Sequence, residues 1–231
     1  MRHYTWLLVL AVIAPAATVF AADYSGSLSS QDGGILGTGS WIYDTGDPDW
    51  HPAILSWSIS RNPDDSWHYE YEMTVSGGDI SHFIIEVSDT FESDDFFNPS
   101  GPYQTIELET FFPGAGNPNM PSPFYGIKFD STSGDPLAIQ FDSWRAPTWG
   151  DFYTKDGNSS GEWNTAWNAG FTDPDSDPLV APSDGSLLGH ILVPDTYGDP
   201  IPEPATGALV LMGLTGLAVR LRRRSNERTK A

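Results

Sequence analysis

The 231-residue chain contains no cysteine. No disulfide can staple it, so its stability must come from a packed core, with bound cations as the only other brace its composition offers. Positive charge is nearly as scarce where it matters. Of eleven basic residues only four (Arg61, Lys128, Arg145 and Lys155) lie between Asp23 and Asp199, against 29 of the 31 acids. The balance of that stretch is 4 − 29 = −25. A surface of this sign repels nucleic acid phosphates and anionic lipid and suits a soluble life outside the cell, cation binding or a salty medium. Between the two ends no window carries a 3.6-residue apolar stripe, and no internal repeat argues for a solenoid. There is no G-x-S-x-G elbow, no H-E-x-x-H helix and no phosphate loop, and no regular Thr-x-Thr ladder.

What is present is apolar and aromatic. Apolar residues make up 39% and aromatics 13%, enough for a core, so the acidity is not a signature of disorder. The dominant pattern is period two, as in half-buried strands. Leu55, Trp57 and Ile59 alternate with serines, and Trp67, Tyr69, Tyr71, Met73 and Val75 alternate with His68, Glu70, Glu72 and Thr74. Phe83, Ile85 and Val87 follow, with Ile84 breaking the polar side; Tyr125, Ile127 and Phe129, then Leu137, Ile139 and Phe141, repeat the pattern. Asn62-Pro63-Asp64-Asp65, Gly77-Gly78 and Asp156-Gly157 read as turns between neighbouring strands. About nine or ten short strands without helices predict an all-β, antiparallel β-sandwich, jelly-roll-like, over residues 22–194.

The two ends read differently. Arg2, the apolar run Trp6–Ala14 and the small residues after it form a secretory signal, with Val19 and Ala21 placing the cut after Ala21. An uncleaved anchor is the competing reading; the short run and the good cleavage site favour removal of 1–21. At the other end a short polar linker, 195–201, leads to Pro202-Glu203-Pro204, an apolar stretch, and the cluster Arg220, Arg222, Arg223 and Arg224. As a single transmembrane helix, 205–221 would span about 26 Å, slightly short of a hydrocarbon core of ~30 Å that snorkelling arginines can complete. The arginines stay inside and the domain lies outside.

This order of parts (P-E-P, short apolar span, terminal arginine cluster) resembles the PEP-CTERM sorting signal of Gram-negative bacteria. The resemblance covers Ile201–Ala231; the same kind of tail is also described as an ice-binding protein C-terminal region. It implies export by the general secretion machinery and a transient hold in the inner membrane. An exosortase-type membrane peptidase would then trim the chain near the motif, for release to the cell surface, often beside exopolysaccharide.

Several residues invite a chemical reading. Glu70/Glu72 and Glu107/Glu109 are Glu-x-Glu pairs whose members share one strand face; glycoside hydrolysis needs carboxylates flanking a bond, so a solvated face is the plainer reading. The alternate aspartates Asp173, Asp175 and Asp177 are candidate calcium ligands, and turn chemistry is their alternative. Asp44-Thr45-Gly46-Asp47-Pro48-Asp49 is a weaker case of the same kind. Trp149, Trp163 and Trp167, in a Gly- and Asn-rich stretch, are candidates for stacking on sugar rings, with buried loop anchors as the rival reading. The expectation for the whole is a non-enzymatic exported protein of the cell surface or extracellular matrix. The alternatives are a carbohydrate-binding module or a secreted carbohydrate-active enzyme on the same scaffold. No nucleic acid partner is expected, and calcium is the one cofactor considered.

Overall fold

The computed structural model describes residues 24–44, 46–156, 163–173 and 189–196. The expected signal peptide, Asp175, Asp177, the transmembrane helix and the sorting motif lie outside the described residues. Among the described residues thirteen strands follow in chain order: β1 Tyr24–Ser29, β2 Ile35–Thr38, β3 Ile54–Arg61, β4 Trp67–Thr74, β5 Ile80–Glu86, β6 Phe96–Ser100 and β7 Thr105–Phe111. Then come β8 Phe124–Asp130, β9 Leu137–Ser143, β10 Ala146–Gly150, β11 Phe152–Asp156, β12 Thr165–Asn168 and β13 Ile191–Thr196. The strands beyond the expected nine or ten are mainly short ones such as β2 (ILGT), β10 (APTWG) and β12 (TAWN), where glycine, proline or sheer brevity hides the alternation.

All pairings are antiparallel. A first sheet has the order β1-β3-β4-β9-β6, a second β2-β12-β11-β5-β8-β7, and β10 pairs with β13 in a small third. Register follows the hydrophobic pattern, because a one-residue slip would turn every apolar side chain outward. Trp57 lies opposite Tyr71 and Tyr71 opposite Ile139 in the first sheet; Phe83 lies opposite Phe129 and Ile85 opposite Ile127 in the second. These inward faces merge in one buried cluster. Phe141 of β9 sits at its centre, with ring centroids 5.3 Å from Tyr69, 6.1 Å from Tyr71, 4.8 Å from Phe96 and, across the gap, 6.1 Å from Phe129. The buried tyrosine hydroxyls are satisfied: Tyr69 donates to the Arg145 carbonyl and Tyr71 to that of Leu192, both at 2.8 Å.

Some connections differ from the sequence reading. Asn62–Asp65 does close a hairpin between β3 and β4, with Asp65 at φ 70°. Gly77 and Gly78, at φ 74° and 83°, instead carry the chain from β4 in the first sheet to β5 in the second. The left-handed backbone there serves a crossover rather than a tight hairpin. β11 and β12 are antiparallel neighbours, as the turn signal at Asp156-Gly157 implies, although Gly157 itself lies outside the described residues. β13 runs to Thr196, two residues into the stretch read as linker, because Thr196 still pairs with Ala146. Ile84, which breaks the alternation of β5, has its own partners: it packs with Phe111, Met120, Phe124, Tyr153 and Phe171 on the outer side of the second sheet. The 112–123 segment lies over that side, held by Tyr153 Oη donating to the Pro118 carbonyl. Among the described residues no helix is long and apolar enough to cross a membrane.

Truncating the central ring tests this account. Phe141→Ala is expected to cost about 3–5 kcal/mol, and Phe141→Leu clearly less, read as shifts of the urea midpoint at constant slope.

Candidate functional site

Because the odd positions of β3, β4 and β9 point inward, their even positions form the outer face of the first sheet. Cross-strand register places Ser58, Glu70, Gln140 and Ser100 in one row, and Ser56, Glu72 and Ala138 in the next. Serine, alanine and Gly101 are short, so they leave a groove of about 540 Å³ between the longer side chains. The next row holds Ser60, His68, Asp142 and Phe97. His68 bridges two acids, with Nδ1 2.7 Å from Asp142 Oδ1 and Nε2 3.3 Å from Glu70 Oε1. Asn62 Nδ2 donates to Asp142 Oδ1 (3.2 Å) and Asn98 Nδ2 to Oδ2 (2.8 Å). Partial burial works to raise the Asp142 pKa, but hydrogen bonds from Asn98, His68 and Asn62 outweigh it and hold the carboxyl below its ordinary value. Asp142 is therefore a fixed anion with both oxygens engaged.

Two residues past Asp142, Trp144 is 52% exposed, and its ring lies 5.0 Å from that of Phe97 at an interplanar angle of 34°. The row of polar groups thus ends in an open aromatic pair. Sequence reasoning passed over it, although the signal existed: continuing the alternation from Phe141 inward puts Asp142 and Trp144 on the opposite face.

The tryptophans singled out from the sequence sit elsewhere. Trp149, on β10, is 2% exposed within the main cluster; its ring belongs to the core, which corrects the expectation that it stacks on sugar. Trp163 is half-buried, with Lys155 Nζ 4.5 Å from its ring centroid. Trp167 is half-buried against the Ile84 cluster of the second sheet. Glu107 forms an ion pair with Lys128 at 3.0 Å. Asp173 is exposed, and its backbone N–H donates to the Gly170 carbonyl. Among the described residues no group of three or more His, Cys, Asp or Glu is arranged to hold a metal. Asp175 and Asp177, like Pro202, Glu203, Pro204, Arg220, Arg222, Arg223 and Arg224, lie outside them.

Comparison with known proteins bears on the tail. A family model described as the PEP-CTERM protein-sorting motif matches residues 200–224. No curated protein and no solved structure matches the chain. The chain carries a PEP-CTERM sorting motif, which implies export, membrane-associated sorting and an exosortase as processing partner.

A second titratable cluster lies on the second sheet, outside the groove. His82 on β5 is 3% exposed, its ring 5.9 Å from that of Tyr153, and its Nε2 has no hydrogen-bond partner among the described residues. Burial first, then the charges of Lys155 and Lys128, push its pKa down to about 3, with Asp130 opposing. The sign of the consequence is fixed. Below pH 6.5 the unfolded chain takes up a proton that the folded chain refuses until about pH 3, so stability falls as the pH drops through that window. At its steepest the loss approaches about 1.4 kcal/mol per pH unit. His82→Phe is expected to flatten the decline between pH 6.5 and 5, above the range where most carboxylates titrate, in urea midpoints measured across that interval.

Proposed function

We propose that this is an exported, non-enzymatic protein of the cell surface or extracellular matrix, a jelly-roll-like β-sandwich delivered by its removable tail. The observation that carries this reading is the PEP-CTERM motif at 200–224, which follows in sequence soon after β13, the last strand of the described residues. The signal peptide is cut after Ala21, residues 205–221 hold the chain in the inner membrane with the arginines inside, and an exosortase-type peptidase then cuts near Pro202-Glu203-Pro204. The absence of catalysis is supported by the groove itself. Glu70 and Glu72 stand side by side on one strand rather than facing each other across a bond. Both oxygens of Asp142 are taken up by His68, Asn62 and Asn98, which suits it to orienting His68 and not to attack or proton donation.

A second reading, a carbohydrate-binding domain contacting exopolysaccharide, is favoured by the groove and by the exposed Trp144 ring beside the half-buried Phe97. Weak calcium binding by Asp173, Asp175 and Asp177 is compatible with either, on the strength of their alternate spacing in a domain of charge −25.

Mass spectrometry of protein from the native host is expected to find Ala22 at the N-terminus and a C-terminus near residue 202. Replacing Pro202, Glu203 and Pro204 together with alanine is expected to leave the tail attached and the protein in the inner membrane. Normal trimming and release of that variant overturns the sorting mechanism. For calcium, the melting temperature is expected to rise with calcium over a chelator at matched ionic strength. No shift, or an equal one with magnesium, removes the metal.

A further inference from the structure

We propose that the outer face of the first sheet binds a saccharide chain carrying free amino groups. The inference rests on the carbohydrate-binding reading and adds the chemical class of the sugar. The groove has the dimensions of a ligand site, since its volume of about 540 Å³ falls inside the range of about 300–1,000 Å³ typical of such pockets. Its walls supply what a polyhydroxylated chain requires. Serine hydroxyls and the Gln140 amide can both donate and accept, and Glu70 and Glu72 accept. The groove is built from four hydrogen-bonded strands in fixed register, so little freedom remains to be lost when a ligand docks. Along β9 the same face continues through Asp142 to the Phe97–Trp144 pair. An indole half-exposed to water beside a second ring leaves apolar area uncovered, and the C–H face of a pyranose is a shape that covers it.

Charge selects among sugars. Glu70, Glu72 and Asp142 present three carboxylates along this face, and among the described residues none has a lysine or arginine partner. The four described cations are committed elsewhere: Arg61 to Asp65, Lys128 to Glu107 and Asp130, Arg145 to Asp95, and Lys155 to Ser81 and the Asp156 carbonyl. A uronic acid chain would bring further negative charge onto this face without a counterion. An ammonium on the sugar ring would meet acceptors at Glu70 and Glu72 while the ring edge lies along the serine row. The two parts of the site have separate duties: the aromatic pair takes any flat sugar, and the carboxylates prefer the amine.

The test uses the mature exported protein and calorimetric titration with four probes: a glucosamine oligomer, its fully N-acetylated counterpart, an oligouronate and an oligolysine of equal charge. The glucosamine oligomer is expected to bind at least tenfold more tightly than the N-acetylated one, with no binding of the oligouronate. The double variant E70Q/E72Q is expected to erase that preference while retaining binding of the N-acetylated oligomer, and Trp144→Ala to weaken both at least tenfold. Unchanged urea midpoints confirm that the variants are folded. Equal binding of the two oligomers overturns the amino-sugar assignment and leaves the carbohydrate reading standing; binding of no saccharide overturns both. Oligolysine binding as tight as that of the glucosamine oligomer, with Trp144→Ala without effect, reduces the site to general charge attraction and overturns the proposal.

Discussion

The stacking of aromatic rings around Phe141 is the contact on which the rest of the structure depends. With no cysteine to form a disulfide, the two large sheets hold together by burying their inner faces against each other. Phe141 touches rings from its own strand neighbours and from Phe129 on the opposing sheet, and Tyr71 reaches across to Phe83. Such rings remove large apolar areas from water and favour offset or tilted contacts at these centroid distances. Because side chains alternate strictly along a strand, fixing the inward set also fixes the outward one. The groove of the first sheet is thus the reverse side of the core.

The same constraint explains how a chain with so few cations distributes them. Arg145 is buried, donates to Asp95 and the Thr90 carbonyl, and lies over the Phe91 ring, where it ties the segment before β6 to the end of β9. Leaving such a charge unpaired in the interior would be costly, so its partners are obligatory. Lys128 and Lys155 serve the outer side of the second sheet in a similar way, beside His82. Among the described residues no lysine or arginine remains for the carboxylates of the groove, which have only the imidazole of His68 beside them. The two outer faces consequently differ in kind: the second sheet's is roofed by the 112–123 segment and apolar about Ile84, while the first sheet's is open, polar and negative.

The tail follows separate physics. Its information lies in the order of a short motif, an apolar span and a basic cluster, and none of it depends on the sheets. Among the described residues β13, paired to β10, is the final strand, and the sorting motif begins at residue 200, a few positions after Thr196.

Much of this was legible from residues alone. The alternation in Leu55–Ile59, Trp67–Val75 and Leu137–Phe141 revealed strands, their buried faces and the core status of Trp57 and Trp67, because a period of two is a local property of extended backbone. The sorting motif was legible because it is a linear signal. Strand partners were not: whether β5 pairs with β4 or crosses to the other sheet depends on long-range burial, and Gly77-Gly78 permits either. Trp149 and Trp144 show the same limit. They lie five residues apart in one turn-rich stretch, yet Trp149 on β10 fills the core beside β13 and Trp144, just past β9, stands open beside Phe97. The all-β, antiparallel character, the net negative charge and the sorting motif were written in local residue patterns; which side chains meet across strands came only with the fold, because only the packing of two sheets assigns distant residues to a common face.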